Sequence, residues 1–253
     1  MTPPQIDVNA DAGESFGRWL LGDEAGLFGF VSSANIACGH HAGDPSTMRA
    51  AVRAARDAGV AVGAHPGYDD KLGFGRRAIA MSLEETVDSV VYQVGALAAI
   101  CVSEGVRLRH VKPHGALMGA TCRDPELALA IATGLRSAGL ELPLMMAPTR
   151  ALGAVRAAGF PVIPENAVDL DFDDDGINIM EPRPAAKSPD RVAETAVAVA
   201  SGRAVTVSGR HIEMPVRSVC VHGDRPNAVP IAAAVTTALT AAGFEIRPAE
   251  PWT

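Results

Sequence analysis

Ala54-Ala55-Arg56-Asp57-Ala58-Gly59-Val60-Ala61-Val62-Gly63-Ala64-His65-Pro66 carries the plan of the whole chain. An alanine-rich helical stretch ends on a glycine, which can take the left-handed conformation that closes a last helical turn. An apolar run follows at once and ends on a histidine. The same passage from helix to strand recurs at Gly105-Val106, Gly139-Leu140, Gly159-Phe160 and Gly243-Phe244. Helix starts are equally legible. Asp44-Pro45, Asp124-Pro125 and Ser188-Pro189 each set an N-cap acceptor before a proline at the first helical position, and Ser82 with Glu85 reads as a capping box. Strands are predicted at 5–9, 31–37, 60–62, 142–146, 160–163 and 218–221. Strands alternating with helices make parallel βα units with right-handed crossovers. Roughly seven or eight such units in one chain of this length predict an α/β fold, a TIM-like (β/α) barrel, as a single domain over 1–253.

With 48% hydrophobic and 20% charged residues, the chain has the make-up of an ordinary soluble globule. A net charge of −7, with no basic run, argues against nucleic acid and anionic membranes as partners. No apolar run reaches the ~18 residues a membrane span needs. Met1-Thr2-Pro3-Pro4-Gln5 lacks the basic and apolar regions of a signal peptide. Cys38, Cys101, Cys122 and Cys220 form no CxxC pair, so reduced thiols and a cytoplasmic location are expected.

The two loop classes differ. Helix-to-strand loops are a bare glycine, whereas strand-to-helix loops are long and rich in Asp, Asn, His, Lys and Arg. In barrels the site lies at the carboxyl ends of the strands. Asp7, Asn9 and Asp11 alternate and share one face of the first strand; facing the barrel interior, Asp7 and Asp11 would couple their titrations or hold a cation. Of the adjacent His40 and His41, at most one faces the site, since neighbours on an extended chain point oppositely. Asp44 reads as a helix cap, Cys38 as packing and His211 as a surface residue. Gly73-Phe74-Gly75-Arg76 resembles an anion loop, but neither a dinucleotide fingerprint nor a GxxxxGK[ST] loop is present. His110-Val111-Lys112-Pro113-His114 gathers two imidazoles and an ammonium where a proline stops the strand. Residues 166–188, with five aspartates and then Pro182 and Pro184, read as an excursion or lid, and 204–214 as a small hairpin. Strand-end histidines, carboxylates and a lysine suit divalent-metal hydrolysis. They equally suit acid/base and phosphoryl chemistry with Lys112 holding an anion. Spacing alone leaves both open.

Eight blocks carry a resemblance. They are Asp7-Val8-Asn9-Ala10-Asp11-Ala12-Gly13-Glu14, Ser33-Ala34-Asn35-Ile36-Ala37-Cys38-Gly39, His41-Ala42-Gly43-Asp44, Gly63-Ala64-His65-Pro66, Gly73-Phe74-Gly75-Arg76, Tyr92-Gln93-Val94-Gly95-Ala96-Leu97, His110-Val111-Lys112-Pro113-His114-Gly115-Ala116-Leu117 and Val221-His222-Gly223-Asp224. In order and spacing they resemble the A subunits of the bacterial ATP-dependent 5-oxoprolinases, the lactam-utilisation family. The resemblance implies a barrel of the glycoside hydrolase/deacetylase type. It also implies opening of the small-molecule lactam 5-oxoproline to glutamate, with ATP and Mg2+ as cofactors and B and C subunits as partners. Its motifs put Asp11, His41, His65, Lys112 and His114 among catalytic residues, and Asn9, Asn35, Arg76, Glu165, His222 and Asp224 among substrate- or nucleotide-binding ones. A phosphorylated imidate needs cationic stabilisation, for which Lys112 and Arg76 are candidates, and water attack needs a base such as Asp11 or a histidine.

The chain also departs from the family pattern. After Glu165 the family has Phe-Ala-Asp-Arg-x-Tyr, where this chain reads Asn166-Ala167-Val168-Asp169-Leu170-Asp171; Met118-Gly119 replaces Tyr-Asn, and His40 replaces an apolar aromatic. A different lactam or cyclic amide, or altered ATP use, follows from those losses. Two alternatives stand beside this expectation: a stand-alone deacetylase or amidase with a protein-bound divalent metal, and a non-catalytic binding or regulatory subunit. Self-association into a homo-oligomer is open as well.

Overall fold

In the computed structural model, which describes residues 3–253, the ring is built on strand β1, Gln5–Ala12. Its odd and even positions divide the labour. Ile6, Val8, Ala10 and Ala12 join the hydrophobic core, while Asp7, Asn9 and Asp11 are buried among polar groups of other strands. In chain order there follow α1 Glu24–Leu27, β2 Ser33–Ala37, α2 Pro45–Ala58, β3 Ala61–His65, α3 Leu83–Ser103, β4 Leu108–Val111, α4 Gly115–Arg123, α5 Pro125–Ser137 and β5 Leu144–Met146. The chain continues with α6 Arg150–Ala157, β6 Val162–Ala167, α7 Pro189–Ala200, β7 Arg203–Val205, β8 His211–Glu213, β9 Ser218–Val221, α8 Ala228–Ala241 and β10 Glu245–Ile246.

Seven parallel strands close in the order β1-β2-β3-β4-β5-β6-β9, with β9 returning to β1 through Asp7↔Ser218 to Ala10↔Val221. β10 adds two residues beside the start of β1, and β7 and β8 form a separate antiparallel hairpin. The barrel is therefore the TIM-like α/β fold expected. The caps form as predicted: Asp44 accepts from Ser46 and Thr47 amides, Ser82 and Glu85 make a reciprocal box, and Gly59 is left-handed at φ 71°.

Strand limits differ from the sequence expectation in a consistent way. β1 runs on to Ala12 and β6 to Ala167, so Asp11, Glu165 and Asn166 lie within strands. β4 starts at Leu108 and includes His110. Polar residues do not end a strand whose polar face is satisfied inside the barrel. Contrary to the sequence expectation, helix α3 is long and apolar enough to cross a membrane by length and composition. It instead buries Val90, Val94, Leu97 and Cys101, and its Gln93 side chain closes hydrogen bonds with both the amide (3.0 Å) and the carbonyl (2.9 Å) of Gly67.

The expected partnership of Asp7 with Asp11 is not found. Asp7 accepts hydrogen bonds from the hydroxyls of Ser32 (2.6 Å), Ser33 (2.8 Å) and Ser218, whereas Asp11 faces Lys112 and His65. Burial pushes the Asp7 carboxyl up from 3.8 to about 6, against the pull of its serine donors. Its folded value lies above its unfolded one, so its contribution to stability is complete below about pH 4 and lost as pH rises through about 6. The stability of Asp7→Asn relative to wild type should therefore rise across that window, by up to about 3 kcal/mol. Parallel melting-temperature profiles of the two proteins would refute this.

Candidate functional site

Lys112 stands one residue beyond β4, where Pro113 ends the strand, and its side chain is 4% exposed. The ammonium donates to Asp11 Oδ1 (3.1 Å), Asn9 Oδ1 (3.2 Å) and Cys220 Sγ (2.8 Å), and Glu165 Oε1 is 3.3 Å away. Burial works against its charge, but the carboxylates of Asp11 and Glu165 hold its pKa well above the usual lysine value. Burial also opposes ionisation of Asp11, yet His65 and Lys112 hold that carboxyl well below its usual range. Cys220 stays a thiol, pushed up by burial and by Asp11.

The histidines around this centre are fixed by their outer nitrogens. His65 Nδ1 donates to the Lys112 carbonyl (2.7 Å) and His114 Nε2 to the Phe74 carbonyl (2.7 Å), leaving His65 Nε2 and His114 Nδ1 2.9 Å apart. His65 Nε2 is also 3.3 Å from Asp11 Oδ2. The loop carrying Phe74 approaches because position 115 is glycine: at φ +53° it accepts no Cβ, which would meet the Gly75 carbonyl at 2.6 Å. Burial, then the neighbouring His65, lowers the His114 pKa well below the usual histidine value. His110, inside β4, donates to Asn35 Oδ1 (2.7 Å), and burial beside Lys112 drops it to about 3. On the far side His222 Nδ1 donates to Asp169 Oδ1 (2.8 Å), and its Nε2 lies 3.7 Å from Asp11 Oδ2. Asp169 outweighs the burial of His222 and raises its pKa.

A cavity of about 520 Å³ opens above these groups. Asp11, His65, Lys112, His114, Glu165, His222 and Arg76 form its polar wall, and Leu170, Ile177, Ile179 and Met180, from the segment after β6, its apolar wall. Asp11, His65, Lys112 and His114 thus converge at the carboxyl end of the strands. Arg76 arrives already paired with Asp224 (2.8 Å). Asn9 and Asn35 do not line the cavity; they lie beneath it, holding Lys112, Asp11 and His110. His41 does not reach it either. Wholly buried, it stacks on His114 at 3.8 Å with Nε2 3.4 Å from Glu14 Oε1, while His40 turns to Tyr92.

Several site residues escaped the sequence. Asp169, placed in the excursion with four other aspartates, is 1% exposed and also holds Arg225 (3.1 Å). Glu14, 3% exposed, was visible only as the end of a motif. Cys220 did carry a signal, since Ser218 and Cys220 share the inward face of β9 and His222 follows at the next alternate position, just past its end.

The chain matches the family model described as the LamB/YcsF family over residues 6–253 and belongs to that family. It is 45% identical over 246 residues to the 5-oxoprolinase A subunit of Chloroflexus aggregans, covering 96% of this chain and 98% of that one. The crystal structure of the lactam utilization protein from Thermus thermophilus superposes with a TM-score of 0.86 at 41% identity, covering 96% of this chain and 99% of that one. A family 4 carbohydrate esterase from Streptomyces lividans, at 12% identity and TM-score 0.50 over 97% of this chain and 93% of its own, shares the fold alone.

Because Asp169 is what raises the His222 pKa, Asp169→Asn should lower it. Following the His222 ring by NMR against pH in wild type and variant measures the change; an unaltered titration in a folded variant would show that the pairing does not set the proton affinity.

Proposed function

We propose that this chain supplies the ring-opening site of a 5-oxoprolinase, acting on 5-oxoproline or a closely related lactam together with B and C subunits. The observation that carries the proposal is Lys112, a buried ammonium held between two carboxylates on the polar wall of a cavity of about 520 Å³, in a member of the LamB/YcsF family. Opening a lactam puts negative charge on the carbonyl oxygen, and a preorganised cation in a water-poor site stabilises that charge most where it develops. Lys112 takes this role. Asp11, kept ionised between Lys112 and His65, orients the attacking water. His222, with its raised proton affinity, delivers the proton that the departing nitrogen requires. The 3.7 Å separation of Asp11 Oδ2 and His222 Nε2 lets the pair return to its starting protonation.

The residues present do not fit a nucleotide triphosphate. Apart from Lys112, which this reading gives to the lactam oxygen, the basic side chains bordering the cavity are paired, Arg76 with Asp224 and Arg123 with Asp173. The chain also lacks a GxxxxGK[ST] loop, one of the glycine-rich devices that cradle polyphosphates. ATP is therefore assigned to the partner subunits, and this chain alone should neither hydrolyse ATP nor open the lactam at a useful rate. Robust ATP-dependent turnover by the purified chain would count decisively against this.

Lys112→Ala should cost about 10²–10³ in turnover by the reconstituted complex, as for loss of a preorganised oxyanion donor. Lys112→Arg should rescue poorly, because a guanidinium differs in shape and hydration. Melting temperatures measured alongside separate a catalytic from a structural lysine. Full turnover by a folded Lys112→Ala protein defeats the assignment.

A further inference from the structure

Behind the polar wall of the cavity, Glu14, His41, His65 and His114 converge so that one donor atom from each lies within 4.8 Å of the others. All four side chains are buried, at 3%, 0%, 1% and 2% exposure. Their protons are already committed. His65 gives its Nδ1 hydrogen to the Lys112 carbonyl, and His114 its Nε2 hydrogen to the Phe74 carbonyl. A neutral imidazole carries a single N–H. The inner nitrogens, His65 Nε2 and His114 Nδ1, face each other at 2.9 Å, with Asp11 Oδ2 3.3 Å from His65 Nε2. Beside them, both His41 nitrogens and Glu14 Oε1 are buried and lack any hydrogen-bond partner. Buried polar atoms in native proteins are almost always satisfied. Three imidazoles and one carboxylate so placed are arranged to share one cation.

We propose that Glu14, His41, His65 and His114 form a binding site for one first-row divalent transition metal of the zinc or cobalt type. Three imidazoles and one carboxylate suit such an ion better than magnesium or calcium, which take oxygen shells. The spacing agrees. A tetrahedral ion with bonds of about 2.0–2.1 Å sets its donors roughly 3.3 Å apart. Here the separations are 3.4 Å for His41 Nε2 to Glu14 Oε1, 3.8 Å for His114 Nδ1 to Glu14 Oε1 and 2.9 Å for His65 Nε2 to His114 Nδ1. The carbonyls of Lys112 and Phe74 hold two of the rings from outside, as the outer hydrogen-bond acceptors of metal-bound histidines do. His41 lies flat on His114, and its lone pair completes the shell once the ring tilts; neither of its nitrogens is hydrogen-bonded to resist that tilt. The other candidate group, Asp11, Cys220 and His222, is a different case. The Lys112 ammonium stands 3.1 Å from Asp11 Oδ1 and 2.8 Å from Cys220 Sγ, and already supplies the positive charge there.

Metal binding is measured without lactam or nucleotide, so its outcome is separate from that of the proposed function. Chelator-treated, folded chain is titrated with Co2+ and then with Zn2+. The expected result is one Co2+ per chain with the visible bands of a low-coordinate nitrogen and oxygen site, displaced by Zn2+ and unaltered in Cys220→Ser. His41→Ala and Glu14→Gln should each weaken binding by more than the about 10–100-fold that loss of an outer partner causes. Should those variants misfold, nitrogen NMR of the wild-type histidines decides: Zn2+ should shift His65 Nε2 and His114 Nδ1 and leave each opposite nitrogen protonated. No stoichiometric Co2+ on the folded wild type, a sulfur-to-metal band lost in Cys220→Ser, or a doubly protonated His65 or His114 ring indifferent to Zn2+ would each overturn the proposal.

Discussion

A buried ammonium dictates the rest of this barrel. Taking a charged lysine out of water is expensive unless it meets charge and hydrogen-bond acceptors of good geometry. Lys112 meets Asp11 and Asn9 from β1, Glu165 from β6 and Cys220 from β9. None of these strands neighbours β4 in the ring. The lysine is solvated only when the sheet closes, so closure of the barrel and assembly of the site are one event. Removing a single partner would leave an uncompensated charge, which is why the centre is a network rather than a pair.

Around that centre the interior differs from the usual filling of branched aliphatic residues. Asp7, Asn9, Asp11, Asn35, His110, Glu165 and Ser218 are all at most 3% exposed, and most are tied to one another by hydrogen bonds. Such a network rigidifies when satisfied and is costly when it is not. The apolar work of folding moves outward, to the helices against the outer face of the ring, where α7 and α8 pack together and α3 lies against α5. Catalytic groups can therefore fill the barrel without emptying the hydrophobic core.

Much of this was legible along the chain, and for identifiable reasons. Glycine closing a helix, aspartate or serine before proline opening one, and period-two alternation in a strand are local effects. The structure accordingly contains the capped helices and the parallel ring they announce. Lys112, His65, His114 and Asp11 could be singled out because each ends or follows a strand. Asp169 could not, because an aspartate followed so closely by four others looks like solvated charge, and only the return of β9 places His222 and Arg225 against it. Asp7 misled for the opposite reason: strand period puts it on the face of Asp11, but the serines of β9 and of the start of β2 take both its oxygens.

Sequence by itself placed six of the ring strands and the proline-capped helix starts to within a few residues, and showed that the strands run parallel and which end of the barrel carries the chemistry. These depend on capping, periodicity and loop length, all of which act over a few residues. Only the tertiary structure decided how the side chains are shared: that Asn9 and Asn35 support the cavity from below, that Arg76 comes paired with Asp224, and that His41 faces Glu14 behind the wall. Those outcomes depend on contacts between residues of different strands and loops, such as Asn9 with Lys112 and Arg76 with Asp224, and on which of two nitrogens a backbone carbonyl claims. Ring closure fixes both, because it alone sets the distances across the barrel.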